Sequence, residues 1–156
     1  MKTLTIDTMP KKKINWKYGD IEVTSIDQID KNIVGFIYVV RNLTTNKVYY
    51  GKKSLYSHRK KRLTPKEKLL PENKRKTFKL ETTHTPWQTY TGSCKLLNEH
   101  LSRGDSYEKE IIKFCTSRVQ MTVLEMKLIF CQSCLEGEHC YNENIAGKYF
   151  AKHFLD

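Results

Sequence analysis

The chain has 156 residues, of which 38% are hydrophobic and 29% charged, and it carries a net charge of +11. Its length suits one domain, and its basic excess favours a polyanionic partner, nucleic acid before an anionic membrane surface. No apolar run approaches the ~20 residues that cross a bilayer, and the N-terminus lacks the apolar core of a signal peptide, so we expect a cytoplasmic protein that does not associate with membranes.

The first segment, residues 1–32, is polar, and we interpret it as an N-terminal extension. It contains a lysine run at 11–13 and two short pieces with strand character, 14–18 and 21–24. These pieces predict a short hairpin, an edge strand or a loosely packed arm.

Two runs rich in β-branched and aromatic residues follow, at 34–40 and 47–51, on either side of the polar stretch 42–46. Such runs around a turn-prone stretch predict a β-hairpin. The hairpin would bring the hydroxyls of Tyr38 and Tyr49 close together. In so basic a chain, the expected neighbour of these hydroxyls is a phosphate.

Residues 52–80 form the most basic part of the chain. We predict a helix with a basic face from Lys53 to Leu63, followed by a short helix that Thr64 caps. Nucleic-acid phosphates are the predicted partners of a set of basic side chains, namely Lys53, Lys60, Lys61, Arg62, Lys74, Arg75 and Lys76. Trp87, which follows this segment, is expected either to stack on a base or to pack in the core.

Three further elements are predicted in the second half. Ser93 would cap a helix from Cys94 to about Arg103, residues 107–115 alternate as a strand, and 120–135 repeat apolar side chains at helical spacing. The order predicts an α+β domain with a small three-stranded, mostly antiparallel sheet flanked by helices. The domain would span 33–147, with a basic helical insertion at about 60–92 and a C-terminal tail at 148–156.

The hairpin carries two short motifs, Phe36-Ile37-Tyr38 and Tyr49-Tyr50-Gly51. They resemble the two halves of the signature of the GIY-YIG nucleases. The first half departs because the leading glycine lies one residue earlier, at Gly35, and the second because Tyr50 replaces isoleucine. The resemblance covers about residues 33–147 and extends to small phage-encoded, homing-endonuclease-like members.

Other positions strengthen the resemblance. Lys52 follows the signature, Arg59 lies where the family places its helix arginine, and Glu125 lies in the late helix where the family keeps a metal-binding glutamate. Asn142 follows that helix, where an asparagine is expected. Leu63 occupies the position of a histidine that many members carry, and His58 is nearby in the sequence.

The resemblance implies a metal-dependent endonuclease that hydrolyses phosphodiester bonds of double-stranded DNA. Tyr49 would be the general base, with Tyr38 hydrogen-bonding nearby, and Glu125 would bind Mg²⁺, for which Mn²⁺ could substitute. Arg59 would grip the phosphate. Lys52 would add positive charge, which we expect to favour the ionised form of Tyr49. Asn142 would maintain the shape of the site.

Several of these residues have ordinary alternatives. Strand tyrosines usually pack, and charge runs are usually solvated. Cys131, Cys134, His139 and Cys140 superficially suggest zinc, but Cys131 and Cys134 fall on the predicted helix, and adjacent ligands at 139 and 140 are awkward. The five cysteines, an odd number, do not indicate a secreted disulfide framework, so we expect reduced thiols.

Two rival functions stay open. The first is a non-catalytic, basic nucleic-acid-binding protein on a nuclease-like scaffold, which the missing histidine and the altered first motif permit. The second is a structural protein that packs against an acidic partner. The sequence leaves the oligomeric state open.

Overall fold

A computed structural model describes residues 13–154 of the chain. Its main element is a five-stranded sheet with the order β2-β1-β7-β3-β4. The strands of this sheet are β1 (Trp16–Tyr18), β2 (Ile21–Val23), β3 (Gly35–Asn42), β4 (Lys47–Ser54) and β7 (Tyr107–Cys115). Two small two-stranded sheets comprise β5 (Tyr56–Arg62) with β6 (Phe78–His84), and β8 (Asn144–Ile145) with β9 (Tyr149–Phe150). The helices are α1 (Pro65–Lys68), α2 (Lys95–Ser102) and α3 (Arg118–Cys131).

The predicted hairpin is confirmed as the antiparallel pair β3–β4. Asn46, with φ 57°, supplies the left-handed residue of its turn. β7 pairs antiparallel with the other side of β3, so β3 is an inner strand and β4 is an edge of the sheet. Backbone hydrogen bonds between Val48 and residues 139–141 cover part of the outer side of β4, and the functional side chains described below gather along this strand.

The predicted three-stranded sheet is too small, because the segment assigned to the N-terminal extension contributes two more strands. β1 pairs parallel with β7, and β2 pairs antiparallel with β1. Trp16 anchors this addition: it is fully buried and lies edge-on to Phe36 and Tyr38 at centroid distances of 5.2 and 5.1 Å. Burial of so large an aromatic surface outweighs the polar character of the segment.

The predicted basic helix from Lys53 to Leu63 is wrong, since these residues form the end of β4 and the whole of β5. β5 pairs antiparallel with β6, which aligns Arg59 with Glu81. Lys61 lies 3.4 Å from a carboxylate oxygen of Glu81. In a helix, the basic side chains at positions i, i+3 and i+4 would lie close together and repel one another. In the hairpin, successive side chains point to opposite faces, and Glu81 on β6 lies opposite some of the basic residues. The basic insertion is therefore mainly a β-hairpin.

The short helix within this insertion is confirmed. Thr64 caps α1, Pro65 opens it, and the side chain of Glu67 accepts from the backbone N–H of Thr64 in a capping box. α2 begins one residue later than predicted and has Cys94 as its cap, without a side-chain cap hydrogen bond. α3 begins at Arg118 behind Ser117, and it ends at Cys131 rather than at 135.

The side chains of β3 alternate between two cores. Phe36, Tyr38 and Val40 point to a cluster that contains Trp16 and Trp87, whereas Ile37 packs with Cys115 and Met121 beneath α3. Trp87 is 1% exposed, and its backbone oxygen accepts a hydrogen bond from the indole of Trp16. The prediction that Trp87 stacks on bases is therefore wrong, and its packing alternative holds.

Two further observations concern the chain as a whole. None of the helices among residues 13–154 is both long and apolar enough to span a membrane.

Cys134 and Cys140 are joined by a disulfide, whereas Cys94, Cys115 and Cys131 are free. The expectation of reduced thiols throughout is thus not met by this pair.

Candidate active site

The two signature tyrosines lie on one face of the β3–β4 hairpin. Tyr38 is paired with Gly51, and Val40 with Tyr49, which directs both phenols to the same side. Their ring centroids are 6.2 Å apart. The hydroxyl of Tyr49 lies 2.9 Å from Oγ of Ser93. The sequence assigned Ser93 to helix capping, but its hydroxyl instead contacts the tyrosine.

The loop before α2 packs directly on Tyr49. Gly92, in a backbone conformation with φ 122°, approaches so closely that a Cβ there would lie 2.8 Å from Cε1 of Tyr49. A side chain at residue 92 would therefore be strained and would also displace the catalytic candidate. In the sequence, the Gly92-Ser93 pair is typical of a loop, and this is the only local sign that the segment could approach Tyr49 closely.

Gly51, the last residue of the second motif, is required by Tyr38. A Cβ at residue 51 would lie 2.5 Å from the hydroxyl oxygen of Tyr38 and 2.6 Å from its Cζ. Tyr38 is 1% exposed and is packed by Trp16 and Phe36, so its ring has no room to retreat.

We expect Gly51→Ala to lower the free energy of unfolding by about 1–3 kcal/mol, the range typical of overpacking a core. Urea denaturation would measure the loss. The matched control is Ser54→Ala, at a partly exposed residue of the same strand, which should change the midpoint little. Equal stability of the wild type and Gly51→Ala would contradict the tight contact between Gly51 and Tyr38.

Glu125 reaches the edge strand β4 from α3. Its carboxylate lies 3.0 Å from Nζ of Lys52, and the two side chains are 18% and 33% exposed. Nζ of Lys52 also donates to Oγ1 of Thr122, one turn earlier on the helix, at 2.9 Å. Lys52 is thereby held at a defined position between β4 and α3, which a solvated surface lysine would not be.

Asn142 fastens the chain after α3 to the same edge strand. Its Oδ1 accepts from the backbone N–H of Tyr50 at 3.0 Å, and its Nδ2 donates to the backbone oxygen of Tyr50 at 2.8 Å. Both ends of the amide are thus engaged with the strand that carries Tyr49. This geometry suits a positioning residue better than a group that contacts substrate.

The two partners of the ion pair, Lys52 and Glu125, line different cavities. The first, of about 340 Å³, is lined by Tyr49, Ser93, Glu125 and Asn142 among others. The second, of about 420 Å³, is lined on its basic side by Lys52, His58 and Arg118. The first cavity thus presents a phenol and a carboxylate, and the second presents cationic and hydrogen-bonding groups.

Arg59 does not join this arrangement. It lies exposed on β5 opposite Glu81 and lines neither of the two cavities. Its neighbour His58 does line the basic cavity, with Nδ1 2.8 Å from Oγ1 of Thr82. Arg118, which the sequence analysis passed over, lines the same cavity from the start of α3. No local motif marks Arg118, because its position depends on how α3 crosses the sheet.

The environment of the phenols opposes their ionisation. Burial raises the pKa of Tyr49 above its ordinary value of 10.0, and the hydrogen bond with Ser93 only partly offsets this. Burial and the nearby Tyr49 raise the pKa of Tyr38 still further. The expectation that local positive charge favours the ionised form of Tyr49 is therefore wrong. The charge of Lys52 is directed to Glu125, which lies 3.0 Å away.

A family model described as "Putative endonuclease segE, GIY-YIG domain" matches residues 16–145 of the chain. The chain belongs to the GIY-YIG nuclease family. This match supports a nuclease function, a nucleic-acid substrate and dependence on a divalent metal. No curated protein and no solved structure matches the chain.

The family match also begins well before the signature. It includes residues 16–23, which contain β1 and β2, the two strands that Trp16 anchors. In this GIY-YIG domain the central sheet has five strands, whereas the order of the predicted elements indicated three. The match ends at Ile145, three residues beyond Asn142, which is hydrogen-bonded to the backbone of β4.

Proposed function

We propose that this GIY-YIG protein is a Mg²⁺-dependent endonuclease that hydrolyses phosphodiester bonds of double-stranded DNA, with Tyr49 as general base. One observation carries the proposal: the phenol of Tyr49 and the carboxylate of Glu125 line the same cavity, with Lys52 at the carboxylate. A base, an acidic group for a cation and a positive charge for the phosphate are the components that this hydrolysis needs.

The donor atoms around Glu125 suit a hard cation. The cavity is lined by the carboxylates of Glu125 and Glu143, the side-chain amide of Asn144 and the phenol of Tyr49. Mg²⁺ prefers oxygen ligands and keeps several waters, so one protein carboxylate can hold it. Glu125 is the candidate ligand. The cation would act as a Lewis acid on the phosphate and the leaving oxygen, and Mn²⁺ would be accepted in its place.

Tyr49 would take a proton from the attacking water as its phenolate. Ser93, 2.9 Å away, can donate a hydrogen bond to the phenolate oxygen and lower the cost of ionisation. Tyr38, on the neighbouring strand of the hairpin, would keep the ring of Tyr49 in place through the contact between the two rings. Lys52 would face the phosphate as a fixed charge, while its contact with Thr122 preserves its position.

The cleavage rate is expected to rise with pH. Because burial raises the pKa of Tyr49 above 10.0, only a small fraction of this phenol is ionised at neutral pH. Each added pH unit increases that fraction about tenfold, so the logarithm of the rate should climb with a slope near ~1 between about pH 7 and pH 9. Single-turnover cleavage at saturating metal would measure the slope. A rate that is already constant at neutral pH would exclude Tyr49 as the titrating base.

Phosphate contacts would come from two surfaces. The basic cavity provides Lys52, Arg118 and His58 beside the cation site. The hairpin β5–β6 extends from this cavity, and its exposed residues Lys60, Lys61 and Arg62 would follow the DNA backbone. Further contacts of the same kind are proposed for Lys53, Lys74, Arg75 and Lys76. These contacts give affinity but do not discriminate between sequences.

A triple variant of the hairpin tests the second surface. Lys60→Ala/Lys61→Ala/Arg62→Ala should reduce the salt dependence of DNA binding, with a change in the slope of log K against log salt of about 0.9 for each phosphate that the variant no longer neutralises. Fluorescence anisotropy over a salt series would measure it. The charge-matched control is Lys127→Ala/Lys148→Ala/Lys152→Ala, distant in sequence from the hairpin. Equal slopes for the two variants would mean that total charge, rather than the hairpin, binds DNA.

The decisive experiment for the function is nicking of supercoiled plasmid by the purified wild type. We expect cleavage in Mg²⁺ or Mn²⁺ and none after chelation. A second candidate function is a non-catalytic DNA-binding protein, which is favoured by the position of Arg59 outside the cavity and by the apolar Leu63. Salt-dependent binding without any nicking in either metal would establish that candidate and end the case for hydrolysis.

A further inference from the structure

A second group of metal-ligating side chains lies after α3, away from Tyr49. The sulfur atoms of Cys134 and Cys140, here joined as a disulfide, and a ring nitrogen of His139 all lie within 4.8 Å of one another. The two cysteines are buried, and His139 is exposed at the rim. Sulfur and imidazole nitrogen are the donors that Zn²⁺ prefers, and they differ from the oxygen donors around Glu125.

The backbone answers the objections to zinc for Cys134, His139 and Cys140, while Cys131 remains the last residue of α3. α3 ends at Cys131, and Ser133 adopts a left-handed conformation with φ 50°, which turns Cys134 off the helix and into the interior. His139 and Cys140 are adjacent in the chain, yet their donor atoms converge with that of Cys134. Neighbouring residues can therefore act as joint ligands here.

A hydrogen bond of His139 fixes the tautomer that leaves Nδ1 able to bind a metal. Its Nε2 lies 2.8 Å from the backbone oxygen of Gln132, and a carbonyl can only accept, so Nε2 carries the proton. The lone pair is then on Nδ1. Gly137 leaves room beside this nitrogen, since a Cβ there would lie 2.9 Å from it. A metal-binding histidine usually donates its other N–H to a carbonyl or a carboxylate, which fixes its tautomer.

We propose that the reduced chain binds one Zn²⁺ through Cys134, Cys140 and Nδ1 of His139, with Cys131 as the fourth ligand. Cys131 is a free, exposed thiol three residues before Cys134, the C-x-x-C spacing of structural zinc sites. The disulfide between Cys134 and Cys140 is the oxidised form of the same site. A dithiol reductant supplies two electrons and two protons to break it, and zinc then displaces the protons of its thiol ligands.

Zinc at this position would stabilise the catalytic edge without joining the chemistry. The backbone oxygen of His139 accepts from the N–H of Val48 at 3.0 Å, and the N–H of Tyr141 donates to the oxygen of Val48 at 2.7 Å. The proposed ligands thus border the stretch that ends in Asn142, and they hold it against the strand that carries Tyr49. The role is structural, and it stands whether or not the protein cuts DNA.

Cobalt substitution tests the proposal in the full chain. Protein reduced with a dithiol and stripped of metal is titrated with Co²⁺, whose thiolate charge-transfer absorption reports sulfur ligation directly. We expect one equivalent to bind with this absorption and Zn²⁺ to displace it. Glu125→Gln should leave the signal unchanged, which separates this site from the oxygen ligands in the other cavity.

Variants identify the ligands. Cys134→Ser should lower the intensity of the thiolate absorption, because one of the three sulfur ligands is lost. Cys134→Ser, Cys131→Ser and His139→Ala should each weaken cobalt binding at least tenfold. Cys94→Ser is the matched control and should bind as the wild type does. Reduced wild-type protein that shows no thiolate absorption, or that only re-forms its disulfide, would overturn the proposal, even if a ligand variant failed to fold.

Discussion

Tyr49→Phe is expected to reduce the rate of DNA cleavage by about 10²–10⁴-fold, the contribution typical of a general base. The change removes one oxygen and leaves the ring, which packs against Gly92 and Tyr38. Stability and DNA affinity should therefore stay close to those of the wild type. Single-turnover cleavage at saturating protein, with anisotropy for binding, separates the loss of chemistry from any loss of affinity.

Tyr50→Phe is the matched control for this prediction. Tyr50 is adjacent in the chain but points to the opposite face of β4, where it packs with Ile129 and Cys140. The Tyr50→Phe protein should cleave DNA at nearly the rate of the wild type. If instead the two variants behave alike, or Tyr49→Phe cuts normally, the base lies elsewhere and the catalytic interpretation of the second motif is mistaken.

The local elements of this fold could be predicted because their signals are local. The alternation of β3 and β4 around residues 42–46 specifies the hairpin and which tyrosine faces Tyr38. The capping box at Thr64 specifies α1 in the same manner. The segment from Lys53 to Leu63 has no such signal, since a run of charged residues fits a helix or a strand. Pairing with β6, more than 15 residues away, decides it.

The site divides in a similar way. Tyr49, Lys52, Glu125 and Asn142 could be selected from the sequence because the family pattern records their spacing, and the structure brings them to one edge of the sheet. That family pattern does not include the positions of Ser93 and Arg118. Each reaches the site by long-range packing, and Arg59 leaves it for the same reason, since a strand directs its side chain differently from the predicted helix.

Glu125→Gln is expected to stop cleavage in Mg²⁺ while DNA binding persists or tightens. The amide keeps the size of the side chain but loses the negative charge that would hold a divalent cation. Removal of that charge also leaves Lys52 without its ion pair, although Thr122 still accepts from it. More positive charge then faces the phosphate, so affinity for DNA should not fall.

Two measurements test this prediction together, namely metal-dependent nicking of plasmid and the dissociation constant for a DNA duplex. Glu136→Gln, an exposed glutamate in the loop after α3, makes the same change of charge away from the cavity and should leave nicking intact. High concentrations of Mn²⁺ should not restore Glu125→Gln to the wild-type rate, because the lost ligand is shared by both metals. A Glu125→Gln protein that nicks normally in Mg²⁺ would show that the cation is held by other groups, with Glu143 the next carboxylate in the same cavity.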